Sequence, residues 1–270
     1  MIGESRVLRP AGPDCPRLVL VHGLEDSWAS WRGLAAVTDP RWRVTALDLP
    51  WRSGNDYRWR RSAAADWLAR ALDELGEPVD VLVAHSFGAN AAMDLMAAGN
   101  NAVGPAAVLI CPLYRPPGAA TTWRTLDRAR TNFERHVRDG VLARLGERAA
   151  GIGPDVLEVM MVKALDRVGP MGLLTVFERY VASADLALEA IGQRIMVLGG
   201  AHDPTLSTEA AHLLGARIPT ATVRVDVHFD HFCHIREPVN VHAHVDAFLQ
   251  EVIVTMQSSV TGAASRGGAA

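Results

Sequence analysis

"VLVAHSFGANAAM", residues 81–93, changes character in its middle. Val81 to Ala84 are apolar residues without polar alternation, the pattern of a strand buried on both faces. From Gly88 onward the run is rich in alanine and other small residues, which suit a closely packed helix. Between the two lies His85-Ser86-Phe87-Gly88, leaving no length for a loop. A serine at such a junction is either a buried cap or a hydroxyl that the turn pushes out of the sheet. Its partners elsewhere in the chain decide between these readings.

On both sides of this stretch, short apolar runs alternate with helical patterns. Strands are expected at "RLVLVH" (17–22), "WRVTALD" (42–48), "VDVLVAH" (79–85), "AAVLIC" (106–111), "RIMVLG" (194–199) and "TVRVDV" (222–227), with "SRVLRPA" as a candidate edge strand. The segments "SWASWRGLAAV", "SAAADWLARALDEL", "GANAAMDLMAAG", "LSTEAAHLLGAR" and "PVNVHAHVDAFLQEV" repeat apolar residues every three or four positions. This alternation predicts an α/β fold, a mostly parallel, doubly wound sheet covered on both faces. The alternation is interrupted once, between Cys111 and Arg194, where only helical patterns occur. A connection that long is expected to be an inserted helical cap over 113–191. The core is then 1–112 and 192–256, and the small polar residues of 257–270 read as a disordered tail.

Composition narrows the function. The 27 basic and 30 acidic residues give a net charge of −3, and no like-charged run forms an arm for nucleic acid or lipid. A small-molecule substrate is the expected partner, with neither nucleic acid nor membrane, and no pattern fixes an oligomeric state. Cys15, Cys111 and Cys233 are odd in number and scattered, arguing against a disulfide framework and for a reducing, cytoplasmic compartment. No leader pattern opens the sequence, and no stretch reaches the roughly 18 uninterrupted apolar residues of a membrane span.

Ligands of parallel sheets collect beyond the carboxyl ends of the strands. Ser86 follows one strand end, His22-Gly23-Leu24 another, Asp203 a third, and His231 follows "VRVDV" after a short loop. Serine, then acid, then histidine, each just past a strand, is the chain order of one hydrolase class. The motifs bear this out: "LVLVHGLEDSWASWRGL" resembles the oxyanion-loop segment of the α/β-hydrolase superfamily. "AHSFG" resembles its G-x-S-x-G elbow, "VLGGAHDP" its acid turn, and "DHFCHIREPVNVHAHVDAFL" its histidine loop and final helix. The likeness spans nearly the whole chain, except its first dozen and last fifteen or so residues, with the insertion matching only as a generic cap.

The resemblance implies a Ser86 nucleophile, a His231 base and an Asp203 acid, with the backbone N–H groups of Leu24 and Phe87 as oxyanion hole. Ala84 replaces the first glycine of the elbow, and Asp230 stands where the family has glycine before its histidine. His228 and His234 share the loop with His231, but aligning Phe232, His234 and Pro238 with the family pattern selects His231. Asp48 and Asp230 are read as structural or solvated carboxylates. His22, Trp51, Trp123, Met160 and Phe177 are candidate pocket residues, weighed against simple packing.

No motif implies a cofactor. His231-x-x-His234 and His242-x-His244 lack the converging ligands a zinc site needs, so no metal is expected, and no G-x-G-x-x-G follows the first strand. The expected function is hydrolysis of an ester, thioester or lactone through an acyl-serine. Two alternatives stay open: elimination, carbon–carbon cleavage or cyclisation in secondary metabolism with the same three residues, and a non-catalytic ligand-binding protein on this fold.

Overall fold

The computed structural model describes residues 4–251; the expected tail over 257–270 lies outside the described residues. Seven strands form one sheet in the order β1-β3-β2-β4-β5-β6-β7. They are β1 (Glu4–Arg9), β2 (Arg17–Val21), β3 (Arg43–Asp48), β4 (Val81–His85), β5 (Ala106–Ile110), β6 (Arg194–Gly200) and β7 (Ala221–Asp226). All pairings are parallel except that of β1, the candidate edge strand, which runs antiparallel to β3 with Glu4 opposite Asp48. Each sequence-predicted strand is present to within two residues at either end.

Side-chain alternation gives the sheet its two faces. In β2, Val19 and Val21 join Leu68, Met93 and Leu214 in one buried cluster. That face is covered by α2 (Ala64–Asp73), α3 (Phe87–Ala97) and α6 (Thr208–Arg217). Leu18 and Leu20 point the other way, to Trp31, Leu34, Val245 and Phe248. There α1 (Arg32–Val37) and a final helix, α8, over 238–251 form the cover; the single turn α7 (Cys233–Arg236) precedes it.

The chain leaves β2 for β3 on one side and β4 for β5 on the other, so strand order reverses between the adjacent β2 and β4. A crevice opens at the carboxyl ends of the strands at such a switch point. His22-Gly23-Leu24 and Ser86 stand on its two sides.

Between β5 and β6 the chain forms α4 (Trp123–Leu145) and α5 (Pro154–Ala182). α5 is two helical segments, because Gly169 adopts φ 60°, ψ −171° and Pro170 begins the second; proline lacks the N–H that an unbroken helix requires. The ends of the insertion touch. The Arg115 amide donates to Ser183 Oγ at 2.9 Å, and the Arg115 Nε–H to the Val181 carbonyl at 3.2 Å. Among the described residues no helix is long and apolar enough to cross a membrane.

Candidate active site

Ser86 closes β4 with φ 50° and ψ −120°, a region that costs a residue with a side chain about 1–3 kcal/mol. The turn is held from both sides: the Ser86 amide donates to the Ile110 carbonyl at 2.8 Å, and its own carbonyl accepts from Asn90 at 3.1 Å. Gly88 is needed for a reason beyond the crossing of β4 with its own helix. A Cβ there would lie 2.5 Å from the His22 carbonyl oxygen and 2.9 Å from Val21 Cγ1, so α3 starts against the end of β2. Trp51 and Trp59 pack edge-on against Phe87, with ring centroids 5.4 and 5.6 Å away.

His231 Nδ1 lies 2.9 Å from Asp203 Oδ2, and His231 Nε2 lies 3.0 Å from Ser86 Oγ. A carboxylate at Nδ1 fixes the proton there and leaves Nε2 as acceptor for the serine hydroxyl. Burial alone would raise the Asp203 carboxyl, but the charge of His231, the polar contact with His136 and the hydrogen bond from His231 outweigh it and hold the group well below the usual carboxylate range. Three side chains from three strand ends therefore form one hydrogen-bonded line. The loop carrying His231 keeps its place despite Asp230: the Phe232 amide donates to Asp230 Oδ1 at 2.8 Å, and Arg236 Nε pairs with Oδ2 at 3.0 Å. Asp48 is likewise tied up, accepting from Arg52 at 3.0 Å.

Leu24 lines a small cavity of about 70 Å³ over Ser86, together with Phe133, Gly140, Val168 and His231. The His-Gly segment runs beside the serine, since a Cβ at residue 23 would be 3.4 Å from Ser86 Cβ. Phe87 is the first residue of α3, whose leading N–H groups have no intrahelical acceptor. A second chamber of about 350 Å³ shares Leu113, Phe133, His136 and Val176 with the first and adds Tyr114, Phe177 and Tyr180. A larger basin of about 850 Å³ around Gly76, Pro105 and Gly192 precedes β4, β5 and β6, at the amino ends of the strands and away from Ser86.

Of the five candidate pocket residues, Phe177 lines the larger chamber. Trp51 does not line either chamber: it is fully buried, and its Nε1–H donates to the His22 carbonyl at 3.1 Å. Trp123 is 86% exposed, because it starts α4 at the end that points into solvent. Met160 is half-buried in the first segment of α5 and lines neither chamber. His22 is fully buried; Leu49 N–H donates to its Nε2 at 2.9 Å, so Nδ1 carries the proton and donates to the Gly23 carbonyl at 2.7 Å. Burial lowers its pKa, and a neutral ring suits this scaffold role.

Two features escaped the sequence. His136 of α4 stacks on His231 with centroids 4.0 Å apart and planes at 21°. The only sequence signal is its spacing, three residues after Phe133 and four before Gly140, on the buried stripe of an otherwise arginine-rich helix. Behind Ser86, His85 donates from Nε2 to the His231 carbonyl at 2.8 Å, and its ring lies 4.0 Å from that of His234. His234 Nε2 is 3.8 Å from Asp26 Oδ2. Burial, then neighbouring rings, push His85 well down, and burial lowers His234. Burial would raise Asp26; the polar contact with His234 and its charge outweigh it and keep the carboxyl low.

For metals, Asp26, His85 and His234 form one group of three candidate ligands whose atoms lie within 4.8 Å of one another, and Cys111, Asp203 and His231 another. The second shares its ligand atoms with the serine relay. In the first, His234 Nε2 and Asp26 Oδ2 stand 3.8 Å apart, whereas neighbouring ligands of a tetrahedral zinc stand roughly 3.3 Å apart given bonds of about 2 Å.

The sequence of residues 18–244 matches the model of the alpha/beta hydrolase family. No curated protein matches the chain. Among solved structures, the enol-lactonase of Burkholderia xenovorans LB400 is 19% identical, covering 92% of this chain and 96% of its own, with a TM-score of 0.63. A thermophilic esterase of Thermogutta terrifontis is 20% identical, covering 93% of each chain, with a TM-score of 0.60. A meta-cleavage product hydrolase is 16% identical, covering 92% and 94%, with a TM-score of 0.64. At these identities the structures speak to fold alone; the match over most of the sequence, joined to a serine in a strained turn at the switch point of the sheet, makes this chain a member of the alpha/beta hydrolase family.

Proposed function

We propose that the protein is a serine hydrolase acting on an ester, thioester or lactone of a small molecule through an acyl-Ser86 intermediate. The carrying observation is the line from Asp203 through His231 to the Ser86 hydroxyl, at 2.9 and 3.0 Å. A serine hydroxyl is a weak nucleophile until a base takes its proton, and the acid holds that base in the right tautomer. In the first half-reaction Ser86 Oγ bonds to the substrate carbonyl carbon as its proton passes to His231 Nε2. The same proton then leaves with the alcohol or thiol when the tetrahedral intermediate collapses. Water, deprotonated by His231, attacks the acyl-enzyme, and the proton returns to Ser86 as the acid product departs.

The backbone N–H groups of Leu24 and Phe87 are assigned to the developing oxyanion, a contribution that typically amounts to about 10²–10³ in rate for one donor. In this reading 113–191 is the cap and supplies the inner walls of both chambers. The outer chamber, with Tyr114, Phe177 and Tyr180, suits an apolar portion of the substrate larger than the small cavity at Ser86 can hold.

A fluorophosphonate probe tests the reaction. The wild type should be labelled on Ser86 and Ser86→Ala should be inert, with hydrolysis of p-nitrophenyl acetate lost in Ser86→Ala and His231→Ala alike. Folded wild-type protein that resists the probe would overturn the acyl-serine. Loss of turnover in His231→Ala but not in Ser86→Ala would replace it with base chemistry.

A further inference from the structure

His136 has no part in the relay as described, yet its surroundings are those of a working group. Its side chain is largely buried, and its ring lies flat against that of His231. Its Nε2 is 3.6 Å from Asp203 Oδ1, the carboxylate oxygen that His231 does not use. At that distance the contact is electrostatic rather than a full hydrogen bond. Asp203 Oδ1 also accepts the Thr205 amide at 2.8 Å. Thr205 Oγ1 lies 3.3 Å from His136 Nδ1 and 3.4 Å from its Nε2. A ring nitrogen facing an ionised carboxylate carries the proton, so Nε2–H points to Asp203, while the threonine hydroxyl packs along the ring edge beside both nitrogens. Asn132, one turn earlier on α4, donates to the Pro204 carbonyl at 2.8 Å. Helix α4 therefore grips the acid loop, Asp203 to Thr205, by two side chains.

We propose that His136 is a positioning residue for the Ser86 reaction, a cap-borne imidazole that fixes the second oxygen of Asp203 and backs the His231 ring, so that the relay is complete only with α4 docked. This rests on the hydrolase reading above. Two imidazoles share one carboxylate, and each moderates its pull on the other. The groups that face His136 are Asp203 and Thr205 from the loop after β6, His231 and the edge of Phe232 from the loop after β7, and Asp139 one turn along α4. Arg128 and Glu209 line the same outer chamber. Burial keeps His136 from gaining a proton near neutrality, so it acts as a neutral donor and adds no charge beside His231.

Without that donor, the carboxylate acts more fully on His231. The base then holds its proton to higher pH, and the acidic limb of the rate profile moves up. The test compares wild type, His136→Phe and His136→Gln. Phenylalanine keeps the stacked ring without the N–H, and glutamine keeps a donor without the ring. The readouts are kcat and KM for p-nitrophenyl acetate and the pH dependence of fluorophosphonate labelling. His136→Phe should lose on the order of tenfold in kcat with little change in KM, as a small misplacement of a catalytic group does. Its acidic midpoint should rise by roughly half a pH unit to one, and His136→Gln should recover part of both effects.

A labelled wild type whose His136→Phe partner has the same midpoint and kcat overturns the role of His136 and leaves the hydrolase reading standing. A folded, unlabelled wild type sinks that reading itself. Should His136→Phe fail to fold, Thr205→Val removes the hydroxyl that holds the His136 ring edge against the acid loop. The same upward shift is then expected, and an unmoved midpoint overturns the proposal.

Discussion

A methyl group at residue 88 would press on the His22 carbonyl, and backbone cannot swing aside as the end of a side chain can. Gly88→Ala is therefore expected to push the His22-Gly23-Leu24 segment away from Ser86. Overpacking of this kind costs roughly 1–3 kcal/mol, which urea unfolding would read. The sharper expectation is kinetic: the assigned Leu24 donor moves with the segment, so labelling of Ser86 should slow by more than the stability loss explains. Unchanged labelling in a destabilised protein would show that the segment is not a donor to the oxyanion. Ser86, Asp203 and His231 were legible in the sequence because each follows its own strand, and strand ends are local signals. His136 was not, because a histidine on a helix as rich in arginine as "RTLDRARTNFERHVR" looks solvated until the docking partner of its buried stripe is known.

The strands were legible for the same local reason at the next scale. A continuous apolar run of roughly 4–8 residues, bounded by turn residues and too short for an ordinary helix, fits a buried strand. The inserted helices carry no such constraint. Their periodicity marks them as helices without saying which face meets the sheet, so Trp123 and Met160 read as pocket residues while Phe133, Gly140 and Val168 line the cavity at Ser86. Gly172 shows how tightly α5 is seated. A Cβ there would lie 2.2 Å from Val168 Cγ1, 2.7 Å from the Tyr57 hydroxyl and 2.9 Å from Phe133 Cζ. An ion pair of Arg179 with Asp94 joins the same segment to α3. Gly172→Val should lift the second half of α5 from α4 and the core, at roughly 1–3 kcal/mol. Faster hydrogen exchange over 170–182, with β4 and β5 still protected, is the expected signature; uniform loss of protection would mean that cap and sheet unfold as one.

Across the whole molecule, the crevice has gathered an unusual number of buried imidazoles. His22, His85, His136 and His234 all have their proton affinity lowered, in each case chiefly by burial. In the unfolded chain such rings titrate near 6.5. Below that value the unfolded state binds protons that the folded state refuses, so stability falls as pH falls through about 6.5 and keeps falling toward the lower folded values. Asp26 and Asp203, whose carboxyls are held low, withdraw their own contribution only at more acid pH, below the ordinary carboxylate range. Glu25 and Asp94, raised by burial, work in the opposite sense and offset part of the loss as the pH falls. The melting temperature should therefore drop between pH 8 and pH 5.5 by roughly 5–10 °C, the shift that a few kcal/mol produces in a chain of this size. His136→Phe, with one neutral ring fewer, should fall less steeply over the same interval. Calorimetry at the two pH values decides it, because a level melting temperature would mean that water already reaches these rings in the native state and that the crevice is not the dry, preorganised site its chemistry requires.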